Sequence, residues 1–231
     1  ENIDRWIETQ FGVRDVSEIN RENIYEVINR FNALFPDFNN SDYGKIYGNS
    51  ARTSAYLLKY GYAYTYLYKS VYSRLFDLMD ADEKIDVLSI GCGSKIDMIG
   101  LKLALLDTNR ENASYYGIDL NDWTDHNTNF CMFPDQGCFD AVNIVEFLGR
   151  ENDRYNSVNS NIIIFPYSMS ELVDAGTPWD SVLNHLPERL VSEKVYIATN
   201  IRDGDNEARD EGAFSDLVNK MIEAGYQQDG A

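Results

Sequence analysis

From Lys84 onward, short apolar runs alternate with stretches of helical periodicity, and this alternation constrains the fold more than any other feature of the chain. Residues 85–90, 114–119, 141–147, 161–165 and 194–199 read as strands. Helices are expected from the end of the first run to about residue 106, over 179–190 and over 213–224. Strands that alternate with helices pair in parallel, because each crossover lays a helix on a face of the sheet. The expected fold class is therefore α/β, a mostly parallel sheet with helices on both faces.

Upstream the texture is helical. Ile3, Trp6, Ile7 and Phe11 fit one short helix, and Ile24, Val27, Ile28, Phe31 and Leu34 fit a second that ends before Pro36. A third, from about residue 50 to 79, carries a run of tyrosines from Tyr56 to Tyr72. The even spacing from Tyr60 to Tyr68 also matches the period of a strand. Helix is the better reading, because Ala51, Ala55, Leu57, Leu58, Ala63 and Leu67 fit it and the segment is long. Two parts result: a helical part over 1–82 and an α/β domain over 83–231.

Charge excludes more than it identifies. Twenty basic residues against 38 acidic ones give a net charge of −18, which repels a phosphate backbone and argues against a nucleic-acid partner. Arg52, Lys59, Lys69 and Arg74 form the one basic grouping that runs against this trend. Cys92, Cys131 and Cys138 make no CxxC, so reduced cytoplasmic thiols are expected. Two histidines without cysteine partners leave no metal site to expect. No 18-residue apolar run is present to cross a membrane. The chain opens on no signal-like segment, although Glu1 need not be the native start.

The stretch VLSIGCGSKIDMIG, at the end of the first expected strand, is where a nucleotide would bind. A P-loop fails, because the sixth residue from Gly91 is Ile96 where glycine and lysine should follow. The dinucleotide fingerprint GxGxxG fails at the same isoleucine. A looser Gly91-Cys92-Gly93 turn remains, with Asp119 lying 26 residues beyond Gly93 at the end of the second expected strand. Glycines admit a ligand close to the backbone, and a carboxylate at the neighbouring strand end can accept both hydroxyls of a ribose.

VLSIGCGS followed by YYGIDL resembles motifs I and II of the class I S-adenosylmethionine-dependent methyltransferases, and NIIIFPYSMSEL resembles their fourth strand and substrate-facing loop. The likeness covers about residues 84–226. It implies a Rossmann-like fold, S-adenosyl-L-methionine as cofactor, and a small-molecule or protein methyl acceptor. Residue by residue, it puts Gly91, Cys92 and Gly93 under the methionine moiety, and Asp119 with Leu120 at the ribose. Glu146 and Phe147, with Leu148, would border the adenine. Two positions depart from the pattern: the usual opening acid is Ser89, and the usual third glycine is Lys95. Asp97 is the candidate to replace the missing acid near the ligand's ammonium. A lysine at 95 is compatible with a sulfonium only if it points to solvent. The family's last two strands have no counterpart before Ala231, so either this sequence is a fragment that lacks them or the sheet has an exposed edge that something must cover.

A methyl group on a sulfonium is already activated, so proximity and alignment supply most of the acceleration. Tyr167 and Glu171, after the fourth expected strand, are the candidate catalytic pair for an acceptor that must lose a proton. Ser168 and Ser170 beside them read as helix caps or substrate contacts. The tyrosines of the long helix read as packing groups, with one of them reaching the site as the functional alternative. Cys92 reads as a small packed residue, and His126 and His185 as surface or packing residues. The rival to a methyltransferase is a binding or assembly module that keeps the fold without transferring methyl groups.

Overall fold

The computed structural model describes residues 50–121, 139–149, 158–201 and 207–228, with side chains from residue 60 onward apart from residue 62. The helices expected before residue 37 lie outside these, as do His126, Cys131, Cys138 and the side chains of Arg52 and Lys59.

Helix α1 runs over Ser50–Leu78, so the tyrosine run is helical and its strand-like spacing is incidental. Tyr60, Tyr64, Tyr68, Tyr72 and Phe76 recur every fourth residue and therefore share one face. Tyr60 and Tyr64 are half-buried, whereas Tyr68, Tyr72 and Phe76 are buried. The last carbonyls of a helix need donors. Here the Arg110 guanidinium donates to the Phe76, Met79 and Asp80 carbonyls at 3.1, 3.1 and 2.9 Å while lying over the Phe76 ring.

Beyond α1 come β1 (Ile85–Ile90), α2 (Ile96–Thr108), β2 (Ala113–Asp119), β3 (Phe139–Ala141), α3 (Ile144–Leu148) and β4 (Ile162–Phe165). They are followed by α4 (Met169–Ala175), α5 (Thr177–Arg189), β5 (Tyr196–Thr199) and α6 (Glu207–Glu223). The five strands form one sheet in the order β3-β2-β1-β4-β5, every pair parallel, which is the Rossmann-like arrangement expected. Chain order reverses between β1 and β4, and the carboxyl edge at such a switch point is where open α/β sheets bind ligands.

Each face has its own core. Val87, Tyr115, Ile162 and Ile164 pack under α1 and α2, while Leu88, Ile90, Ile163 and Phe165 pack under α3, α5 and α6. The α1–α2 contact is close because of Gly100: a Cβ there would lie 2.6 Å from the Tyr68 Cβ and 2.9 Å from the Thr65 carbonyl oxygen. The long helix thus shares a core with the sheet. No described helix is long and apolar enough to cross a membrane.

One expected strand is corrected. Residues 141–147 do not form it; β3 is shorter and earlier, and Ile144–Leu148 is a turn and a half of helix. The cause is Asn143, whose side chain accepts the Val145 amide at 2.8 Å and starts a helix with Ile144, Phe147 and Leu148 on its buried side.

Candidate functional site

Three residues with positive φ build the turn that leaves β1: Gly91 at 71°, Gly93 at 51° and Lys95 at 62°. Glycine enters this region without strain, and lysine does not. The turn is laced to β2. Gly91 and Cys92 donate their amides to the Ile118 carbonyl at 2.8 and 3.1 Å. The Gly93 amide donates to Asp119 Oδ2 at 2.8 Å, and the Asn121 amide donates to Oδ1 at 2.8 Å. Gly91, Cys92, Gly93 and Asp119 are therefore neighbours at the carboxyl edge, while Leu120 turns its side chain to solvent, 71% exposed.

Gly91 has a second constraint. A Cβ on it would meet the Ser168 Cβ and lie 2.8 Å from the Ser168 Oγ. Ser168 precedes α4 but makes no cap with its hydroxyl; it donates to the Ile90 carbonyl at 2.5 Å and so crosses the switch point from β4 to β1. Sequence reasoning treated Ser168 as a cap or substrate contact and missed this lock. Gly117 is explained similarly: a Cβ there would lie 2.7 Å from the Cys92 Sγ, which packs over β2. Burial, then the Asp119 and Asp97 carboxylates, push the Cys92 thiol up, which removes it as a nucleophile.

Asp97 does not open onto the turn. It is buried beneath it, accepting the Tyr115 hydroxyl at 3.0 Å and the Tyr72 hydroxyl at 3.4 Å. Burial pushes its carboxyl from 3.8 to about 6, against the opposing pull of the Ser89 and Tyr115 hydroxyls. Ser89 acts there through proximity, since its hydroxyl does not meet hydrogen-bond geometry. Both tyrosines are in turn raised well above their ordinary value, first by burial and then by Asp97. Ser89 is thus beside a carboxylate supplied eight residues later.

Lys95 is also not where compatibility with a sulfonium required it. It is buried, with its Nζ 5.4 Å from the centroid of the Phe139 ring on β3, and desolvation lowers its pKa. Glu146 is exposed on α3, whereas Phe147 is buried and stacks on Tyr116 at 6.2 Å. Tyr167 has positive φ (57°) and stacks on Tyr64 at 4.6 Å between ring centroids, with Tyr68 edge-on at 6.4 Å. Glu171 is partly buried in the first turn of α4.

No protein-family model matches this chain, and no curated protein does. Among solved structures, that of the plantazolicin methyltransferase BpumL in complex with SAH aligns with 88% of this chain and 76% of its own, at 16% identity and a TM-score of 0.45. The same protein with a pentazolic desmethylPZN analog and SAH aligns with 89% and 76%, at 16% identity and a TM-score of 0.46.

Proposed function

We propose that this chain is an S-adenosylmethionine-dependent methyltransferase acting on a small molecule or protein. The observation that carries the reading is the junction of the Gly91–Lys95 turn with Asp119, at the carboxyl edge of a parallel sheet beside its switch point. The surroundings fit a polar ligand. The Ser94 and Ser170 hydroxyls are buried and have no hydrogen-bond partner among the described residues, a cost that a ligand's polar groups would relieve.

In this reading the backbone of Gly91, Cys92 and Gly93 lies along the methionine end, and Asp119 accepts the ribose hydroxyls. A carboxylate oxygen takes about two hydrogen bonds, so a main-chain amide and a hydroxyl can share one. Leu120 would flank the ribose, and Glu146 and Phe147, with Leu148, would border the adenine. Asp97 supports the turn from beneath, which suits its two tyrosine partners better than a contact with the ligand's ammonium. The cofactor's sulfonium supplies the activated methyl group. What the chain adds is alignment, and Glu171 or Tyr167 would take the proton from an acceptor that carries one.

The binding-module reading rests on Lys95, a buried cation in the turn where the family's glycine would stand. Calorimetry with S-adenosylmethionine and S-adenosylhomocysteine tests the site: both should bind with micromolar dissociation constants, and the absence of heat for either would overturn it. Incubation with methyl-labelled cofactor and candidate acceptors then separates the readings, since only an enzyme transfers the label.

A further inference from the structure

The stripe of tyrosines on α1 has a use beyond packing. We infer that Tyr64 is a positioning residue for the Gly91 turn, acting through Tyr167 and Ser168; the inference rests on the proposed ligand site. A cluster of ring contacts and one hydrogen bond carry it. Tyr64 stacks on Tyr60 at 5.0 Å and on Tyr167 at 4.6 Å, with interplanar angles of 19° and 26°. Tyr68 closes the cluster edge-on to both Tyr64 and Tyr167, at 6.5 and 6.4 Å. The next residue, Ser168, donates to the Ile90 carbonyl and fills the space above Gly91 that a Cβ would need.

The backbone explains why a clamp is required. Tyr167 sits at φ 57°, a region that an aromatic residue enters only when its surroundings hold it there. Without the clamp, Tyr167 would relax to negative φ. A backbone rotation at residue 167 redirects the chain that follows, so Ser168 would leave Ile90 and the floor of the turn at Gly91 would open. Aromatic rings hold such a geometry well, because stacking fixes both the position and the plane of the ring. The contact also links an element outside the α/β alternation to the carboxyl edge of β4, so α1 sets the shape of the site through Tyr167.

The test compares Tyr64→Ala, Tyr64→Phe and the double variant Tyr64→Ala/Tyr167→Gly by calorimetry with S-adenosylhomocysteine. Tyr64→Phe keeps the stack and should bind within about twofold of wild type, while Tyr64→Ala should bind about tenfold more weakly. Glycine takes the φ of residue 167 without strain, so the double variant should recover a large part of that loss. A purely structural role would lower the unfolding temperature of Tyr64→Ala and leave its affinity within twofold, which would overturn the inference. Hydrogen exchange measures the mechanical step without ligand: the amides of residues 167–169 should exchange faster in Tyr64→Ala, while those of β5 stay unchanged. Unchanged exchange at 167–169 would also overturn it. Failure of wild type to bind S-adenosylhomocysteine would sink the functional reading, and the exchange result would still decide whether Tyr64 holds the loop.

Discussion

The carboxylate of Asp119 holds the amide of Gly93 at 2.8 Å, tying the turn after β1 to the end of β2 across one strand spacing. Its other oxygen holds the Asn121 amide at the same distance. A polar residue at an open strand end lies outside the core, but these two bonds give Asp119 a structural role as well.

Asp119→Ala should therefore lose on two counts. Removing the acceptor of two main-chain donors costs about 2 kcal/mol of stability, read as a lower unfolding midpoint. Removing the hydrogen bonds to a ribose costs roughly 2–4 kcal/mol of binding, about a 30- to 1000-fold loss in affinity for S-adenosylhomocysteine. Asp119→Asn, which keeps one carbonyl acceptor, should fall between wild type and alanine in both measurements. Loss of stability with affinity intact would remove Asp119 from the site.

Gly91→Ala meets two obstacles together, a φ of 71° and the Ser168 side chain. Strain plus overpacking should cost about 3 kcal/mol or more. Ser168→Gly in the same chain removes the obstructing side chain and should recover part of that loss, though not the strain. Thermal unfolding of the single and double variants checks this. An equal cost with and without Ser168 would place the whole penalty in the backbone.

How much of this was legible in advance depended on range. Four strands and the main helices followed from local periodicity, because a buried parallel strand is a short apolar run and an amphipathic helix repeats every third or fourth residue. Residues 141–147 misled because Ala141, Val142, Ile144, Val145 and Phe147 make the run largely apolar, and only the capping role of Asn143 separates strand from helix. Gly91, Gly93 and Asp119 were legible because a turn and a strand end carry local signals. The Ser168–Ile90 lock, the tyrosine cage on Asp97 and the seat of Lys95 were not. Each joins residues far apart in sequence, and spacing along one element says nothing of such contacts. Gly100 and Gly117 did leave a trace, since an isolated glycine inside a helix or strand marks a close approach.

Lys95→Gly tests whether this lysine opposes the charge of the cofactor. The substitution relieves about 1 kcal/mol of left-handed strain and removes a buried cation, while giving up the packing of the lysine stem against Phe139. Net stability should stay within about 1 kcal/mol of wild type. Binding should respond differently to the two ligands, because only S-adenosylmethionine carries a sulfonium charge for Lys95 to repel. Its affinity should rise about threefold to tenfold relative to that of S-adenosylhomocysteine. An unchanged ratio by calorimetry would mean that Lys95 does not face the sulfonium.

Asp97 predicts a pH dependence whose sign is opposite to that of a salt-bridged carboxylate. Burial raises its pKa from 3.8 to about 6, so between these values the folded protein holds a proton that the unfolded chain has released. Stability then falls as pH rises through this window, and becomes independent of Asp97 above it, where both states are ionised. At about 1.4 kcal/mol per pH unit, the window is worth roughly 3 kcal/mol. Many other carboxylates titrate over the same range, so the comparison must be with Asp97→Asn, which cannot ionise and retains an acceptor for Tyr72 and Tyr115. Relative to that variant, wild type should be about 2 kcal/mol less stable at pH 7 than at pH 4, where part of the window has already been crossed, measured by denaturant unfolding at both pH values. A difference that does not change with pH would mean that Asp97 titrates as it does in the unfolded chain, and that its tyrosine partners fully offset the burial.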